Sequence, residues 1–281
     1  MLLLGQKQEL VIIKTVEFGV YLAESMDSTQ EKVLLPAKQV PKEAGIGDLI
    51  TVFLYRDSKD RLIATVHEPV MMLHQIGKCR VAAVSKVGAF LEWGLEKDLL
   101  LPFREQTYPV EPGEEILAAL YIDKSNRLCA TMKLYPYLEK QSGYQKDDTV
   151  QGIVYEISAG FGAFVAVDGK YSALIPKKEL LGEVKAGQEI TARVSGVKED
   201  GKLDLSLRQK AYLQMDADAE KIRRILTEQG GSLPFNDRAA PELIREKMGM
   251  SKNEFKRAVG RLYKEKAIRI LPDSIQLIQK K

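Results

Sequence analysis

The sequence predicts a multidomain chain, mainly β, with α-helices confined to the carboxy-terminal segment. Three observations predict it: a β-rich pattern that recurs three times, a change of apolar period from two to about 3.6 near Asp216, and a basic excess beyond that point. At 281 residues the chain is too long for one small core. The expected units are residues 1–68, 75–135, 146–210 and 216–281.

Each of the first three units contains a strand with an apolar-glycine start: Phe18-Gly19-Val20-Tyr21-Leu22, Val87-Gly88-Ala89-Phe90-Leu91 and Phe161-Gly162-Ala163-Phe164-Val165. A short apolar strand closed by proline follows, at Leu34-Leu35-Pro36, Leu100-Leu101-Pro102 and Leu174-Ile175-Pro176. Next come turns at Gly47-Asp48, Gly113-Glu114 and Gly187-Gln188-Glu189, each leading into a β-rich run such as Leu49 to Tyr55. A charged turn and a last strand complete each copy, as in Asp60-Arg61-Leu62-Ile63-Ala64-Thr65. Five strands in about 60 residues, with glycine at the bends, suit a small Greek-key barrel of the OB type. A unit this small buries only about 60% of its unfolded surface. The connections, His67 to Ile76 and Leu134 to Asp147, are short, so the barrels should lean on one another.

The third copy, from Gly152-Ile153-Val154 through Phe161-Gly162-Ala163-Phe164-Val165 to Leu203-Asp204-Leu205-Ser206-Leu207-Arg208, resembles the S1 RNA-binding domain, and the other two resemble diverged versions of it. The resemblance covers residues 5 to 208 in three passes. It implies a face on which aromatic side chains stack on unpaired bases while cations follow the phosphates. Carried over position by position, that face holds Phe18, Tyr21, Asp57 and Arg61 in the first copy and Phe90, Asp123 and Arg127 in the second. In the third it holds Phe161, Phe164, Lys198 and Lys202. The departures matter: Pro36, Pro102 and Pro176 stand where the family often has a histidine, Val87 replaces an aromatic, and Lys198 reverses the sign of the usual aspartate. The second barrel is therefore expected to contribute least.

The competing reading is that these aromatics are core. Strict alternation sends Phe161 and Phe164 to opposite faces. A β-bulge at Gly162 would bring both out, and glycine inside a strand is where bulges are expected. Arg61, Arg127 and Lys202 could equally be solvated turn residues.

From Asp216 onward Ala219, Ile222, Ile225 and Leu226 mark one helix face, stopped by Gly230-Gly231. The strand-like Ser232-Leu233-Pro234-Phe235 precedes a second helix opened by Pro241 and ended by Gly249. Ser251-Lys252-Asn253-Glu254 is a capping box, in which each side chain satisfies a backbone donor at the start of a third helix. There Phe255, Val259 and Leu262 form the apolar stripe, while Lys252, Lys256, Arg257, Arg261 and Lys264 crowd the remainder. Ile268 to Leu271 and Ile275 to Ile278, around Pro272-Asp273-Ser274, alternate as a hairpin wing. That order predicts a winged helix-turn-helix, whose third helix meets a groove. Residues 216–281 carry 15 Lys+Arg against 10 Asp+Glu, and residues 1–215 carry 27 against 29. The basic excess favours a polyanionic partner for the tail.

Three S1-like repeats followed by a winged helix is the layout of the bacterial conserved virulence factor B family, also called YitL-like, and the whole chain is similar to it. The resemblance implies a regulator of gene expression that binds single-stranded RNA, with duplex DNA or a protein as alternative partners of the winged helix. The chain is expected to be a cytoplasmic monomer with no cofactor or metal and no catalytic residues. His67 and His74 do not form a zinc helix, and no phosphate-cradling glycine motif occurs. The amino terminus lacks the marks of a secretory signal. Cys79 and Cys129 lie in β-like runs without metal spacing, as buried, reduced thiols would.

Overall fold

The computed structural model describes residues 1–28, 31–180, 184–207 and 211–278, with backbone alone described for 211–217. It divides into two compact units, Met1–Leu207 and Arg208–Lys281. The expected unit ends at residues 210 and 281, and Arg208 of the third repeat, lie outside the described residues.

The first unit holds the three repeats. In the first, β1 (Lys7–Val16), β2 (Gly19–Ala23), β3 (Val33–Pro36), β4 (Leu49–Arg56) and β5 (Leu62–Thr65) close into a barrel of order β1-β2-β3-β5-β4. The third repeats this with β11 (Thr149–Ser158), β12 (Gly162–Val167), β13 (Tyr171–Pro176), β14 (Glu189–Val197) and β15 (Leu203–Ser206). In both, the prolyl strand runs parallel to the last strand and every other pairing is antiparallel. The middle repeat, β6 (Ile76–Val84), β7 (Gly88–Glu92), β8 (Leu99–Pro102), β9 (Glu115–Ile122) and β10 (Leu128–Thr131), is a five-stranded sheet whose edges β8 and β10 lie side by side, nearly closing it. After each prolyl strand comes one 3-10 turn, at Ala37–Gln39, Phe103–Glu105 and Lys177–Glu179.

Alternation explains both the barrels and their contact. Along β4, Ile50, Val52 and Leu54 point into the first core, while Phe53 and Tyr55 leave the barrel and join the second core beside Trp93. Phe53 meets Trp93 edge-on, ring centroids 5.8 Å apart. In β9, Ile116, Ala118 and Leu120 face inward, and Leu117 and Ala119 pack outward with Leu134, Leu138, Tyr155 and Ala166 against the third barrel. A strand buried on both faces is apolar throughout, which is why these runs lack an alternating pattern. Burying one such large side chain contributes roughly 1.5–3 kcal/mol, so the shared surfaces offset the marginal cores of single barrels.

Both cysteines are free and buried, Cys79 in β6 and Cys129 in β10. Burial pushes each thiol up to about 11.

The second unit comprises α1 (Ala211–Glu228), β16 (Ser232–Leu233), α2 (Pro241–Met248), α3 (Lys252–Lys264), β17 (Ile268–Ile270) and β18 (Ile275–Leu277), with a sheet of order β16-β18-β17. Ile222, Leu226, Ile244, Phe255, Val259 and Leu262 form its core with Ile268 and Ile275 from the hairpin. The Ser251–Glu254 capping box is formed in both directions, and Gly249 ends α2 in the left-handed conformation at φ 60°. Among the described residues no helix is long and apolar enough to cross a membrane.

Candidate nucleic-acid interface

The glycine that opens the second strand of each barrel controls what lies beside it. At Gly162, φ is +125° and a Cβ would fall 2.1 Å from the carbonyl oxygen of Ile175 on β13. Only glycine permits so close an approach. Gly19 and Gly88 meet the carbonyls of Leu35 and Leu101 in the same way, at 2.1 and 2.2 Å. The residue before each glycine is thereby thrown outward: Phe18 and Val87 are each 59% exposed and Phe161 is 69% exposed.

Phe161 and Phe164 lie on the same side of the third barrel, ring centroids 6.4 Å apart. The means differs from the expected bulge at Gly162. Phe161 sits in the turn before β12 and is outside the alternation, with its carbonyl accepting a 3.0 Å hydrogen bond from the Lys177 N–H. The register shift falls on the opposite strand, β11, between Val154 and Glu156, so that Tyr155 is the extra residue. The first and second barrels carry the same irregularity at Ile13 and Ala82.

Around Phe164 the third barrel forms a cavity of about 460 Å3, lined by Tyr135, Tyr155, Phe161, Phe164, Lys198 and Lys202 among others. Tyr135 stands edge-on to Phe164 at 6.5 Å, and Tyr155 lies tilted to it at 6.2 Å. Lys202 sits 5.2 Å from the centre of the Tyr135 ring and pairs with Asp200 at 2.7 Å. Asp200 and then the Tyr135 hydroxyl push Lys202 up to about 12, so it is a fixed cation at neutral pH. Lys198 pairs with Asp204 at 3.3 Å. Sequence reasoning missed Tyr135 and Tyr155. Tyr135 lies in the connection after β10, outside any repeat, and Tyr155 is brought to the site by a register shift that only strand pairing reveals.

The other barrels are built differently. In the first, Phe18 is exposed and Tyr21 is half-buried beneath Lys32, whose ammonium is 5.0 Å from the ring centre. Arg61 grips Asp57 through both Nε and a terminal nitrogen, at 2.9 and 2.7 Å. Burial works against the Asp57 carboxylate, but hydrogen bonds from the Arg61 side chain, the Arg61 N–H and the Lys59 N–H outweigh it and hold the group below the usual carboxylate range. In the second barrel Phe90 is half-buried and lines a smaller cavity of about 240 Å3 with Tyr55, Asp60, Trp93 and Arg127. Asp123 accepts from the Ser125 and Arg127 N–H groups and shapes the turn. The β4–β5 turn of the first barrel meets this face: Arg56 donates to the Asn126 carbonyl at 3.0 Å, and Lys97 donates to the Asp57 carbonyl at 2.9 Å.

On α3, Lys256, Arg257 and Lys264 are exposed, away from the buried Phe255, Val259 and Leu262. Lys252 is half-buried at the helix start and reaches the Arg238 carbonyl at 3.5 Å. Arg261 is turned to the flank and pairs with Glu265 at 2.9 Å, and Glu265 also takes Arg223 of α1 at 3.3 Å. The five expected cations thus divide into an exposed trio, of which Arg257 donates to the Asn253 carbonyl at 3.3 Å, and the half-buried Lys252 and Arg261. Among the described residues no cluster of three or more His, Cys, Asp and Glu could hold a metal ion.

Comparison with known proteins follows the same divisions. A family model for the S1 domain matches residues 4–67 and 75–133, one for the second domain of virulence regulatory factor CvfB matches 137–209, and one for the CvfB-like winged helix domain matches 220–277. The third repeat, whose sequence looks nearest to S1, is thus matched by the family's own domain. YitL of Bacillus subtilis (strain 168) is 31% identical over 270 residues, covering 92% of this chain and 89% of its own. Conserved virulence factor B of Staphylococcus saprophyticus is 31% identical over 247 residues, covering 85% and 82%. A crystal structure from Streptococcus pneumoniae TIGR4, described as a multidomain protein with nucleic acid binding domains, is 25% identical, covers 98% of both chains and superposes with a TM-score of 0.51.

Proposed function

Because the chain belongs to the conserved virulence factor B family, we propose that it is an RNA-binding regulatory protein, acting on gene expression after transcription in the cytoplasm, as a monomer and without catalysis. Its S1-type barrels hold single-stranded RNA by stacking and by phosphate contact, and the winged helix adds further nucleic-acid contact. One observation carries the reading: Phe161 and Phe164 share one face of the third barrel beside Lys198 and Lys202. Stacked rings next to cations suit unpaired bases on a phosphate chain, because every base has a π-face and duplexes hide theirs.

The residues proposed for RNA are Phe161, Phe164, Lys198 and Lys202 foremost, then Phe18, Tyr21 and Arg61, and last Phe90 and Arg127. The ranking follows exposure and prior engagement. Salt-bridged cations remain attractive to phosphate, but phosphate must compete with their acids.

The exposed trio Lys256, Arg257 and Lys264 favours a second reading, a DNA-binding regulator acting through the winged helix. Titrating the full chain with an unstructured RNA, a duplex DNA and a fractionated protein lysate separates the readings. Tightest binding to the RNA is expected. Tightest binding to duplex DNA would make the winged helix the principal site, and retention by protein alone would make the chain a scaffold.

A further inference from the structure

The cavity beside Phe164 is lined by more rings than a single stacking platform requires. A base that only stacks uses one ring face and leaves its edges in water. Here about 460 Å3 is bounded by Tyr135 on one side, Tyr155 and Phe164 on others, and the exposed Phe161 at the rim. Pockets that enclose small planar ligands begin at about 300 Å3. The lining also includes Ser172 and Glu156, groups able to exchange hydrogen bonds with a polar edge.

A second observation is independent of volume. Tyr155 is only 3% exposed, and its hydroxyl is buried with no hydrogen-bond partner among the described residues. Buried hydroxyls nearly always have one, because leaving the group unpaired forfeits its hydration. Packing against Leu134 and Leu138 accounts for the ring but not for the hydroxyl. The matching bulge positions in the other barrels, Ile13 and Ala82, bring no polar side-chain atom. The Tyr155 carbonyl accepts a hydrogen bond from the Thr107 hydroxyl of the second barrel, which fixes the residue from behind. Burial first, then Glu156 and Tyr135, push the phenol above its ordinary range, so it is a donor at neutral pH.

We propose that this cavity is a nucleobase pocket, in which one unstacked base of a bound RNA inserts between Phe164 and Tyr135 and takes the Tyr155 hydroxyl as a hydrogen-bond partner. Tyr135, 48% exposed in the connection after β10, is the ring free to swing as the base enters. Lys198 and Lys202 at the cavity meet the flanking phosphates. The inference rests on the RNA-binding reading of this face and adds base selectivity to it, through a subsite that the third barrel completes only with a residue from outside its own fold.

The test compares the full-length protein with its Tyr135→Ala, Tyr155→Phe and Phe164→Ala variants on fluorescein-labelled oligo(U), oligo(A) and oligo(C). Melting curves confirm that each variant is folded. Tyr135→Ala should weaken every probe by about 5- to 100-fold, as the loss of one stacking ring does. Tyr155→Phe keeps the ring and should weaken at least one probe by about three- to tenfold while sparing another, the mark of a lost hydrogen bond to one base edge. If Phe164→Ala weakens binding but Tyr135→Ala and Tyr155→Phe match the wild type on all probes, the pocket is wrong and the RNA-binding reading stands. An equal loss on all three probes for Tyr155→Phe would assign the hydroxyl to packing and overturn the base contact. Failure of the wild type to bind any probe would overturn the RNA-binding reading, and this inference with it.

Discussion

The guanidinium of Arg127 in the second barrel reaches the carboxylate of Asp60 in the first, Nε to Oδ1 3.3 Å. Half-exposed pairs of this kind contribute only about 0–1 kcal/mol each. With Arg56 on the Asn126 carbonyl and Lys97 on the Asp57 carbonyl, however, the pair sets the β4–β5 turn against the second barrel's expected binding face. That barrel should therefore respond least to mutation. Phe90→Ala and Arg127→Ala are expected to change RNA affinity less than either aromatic change in the third barrel, measured by fluorescence anisotropy on the full chain. A larger effect at Phe90, with the protein folded by circular dichroism, reverses the ranking.

In the third barrel, Phe161→Ala and Phe164→Ala should each weaken RNA binding by about 1–3 kcal/mol. Their structural costs differ, because Phe161 is 69% exposed whereas Phe164 packs beside Tyr155 and Tyr135. Phe161→Ala should leave the melting temperature nearly unchanged, so its affinity loss isolates stacking. Unchanged affinity for both variants would leave Phe161 a solvated surface residue and Phe164 a packing one.

The strand-opening glycine is a stability determinant. Gly162→Ala places a Cβ at 2.1 Å from the Ile175 carbonyl oxygen at φ +125°, and should destabilise the first unit by about 2 kcal/mol or more. Among the described residues a Cβ at Gly143 meets nothing within 4 Å, so Gly143→Ala is the control and should be near neutral. Equal denaturation midpoints for the two would remove the close approach from the account.

Cys79 and Cys129, each pushed up to about 11 by burial, should resist a thiol reagent at pH 8. Only roughly one thiol in a thousand is then ionised, and the thiolate is the reacting species. Both should react promptly after unfolding in guanidinium. Fast reaction of either in the native protein would contradict the burial described.

For the winged helix, Lys256→Ala, Arg257→Ala and Lys264→Ala together should flatten the dependence of log affinity on log salt by up to about 2 units if each cation meets a phosphate of single-stranded RNA. Arg261→Ala should have a smaller effect on that slope, since Glu265 already pairs with Arg261. A triple variant with unaltered affinity and salt slope on RNA and DNA would assign the exposed face to solvent or to a protein partner.

Much of the architecture was legible because repetition makes each strand's identity a threefold observation, and because the capping box and the change of period mark the helical unit. What stayed hidden depends on pairing between distant segments. No pattern along β11 announces that Tyr155 is an extra residue, since a register shift is a relation between two strands. Tyr135 belongs to no repeat, so comparison of the copies passes over it. The five cations of α3 look equivalent in sequence, and only the position of Glu265 beside Arg223 and Arg261 separates one of them from the exposed trio.

The central claim is that the barrels hold unpaired RNA by stacking, and one measurement tests it most directly: equilibrium binding of the full-length protein to an unstructured RNA and to the same strand annealed in a perfect duplex, at one salt concentration. Stacking needs free base faces, whereas phosphate attraction does not and grows with the higher charge density of a duplex. The account predicts clearly tighter binding to the unpaired strand, with the preference reduced by Phe161→Ala and Phe164→Ala. Equal affinity for strand and duplex, unchanged by those substitutions, would contradict it.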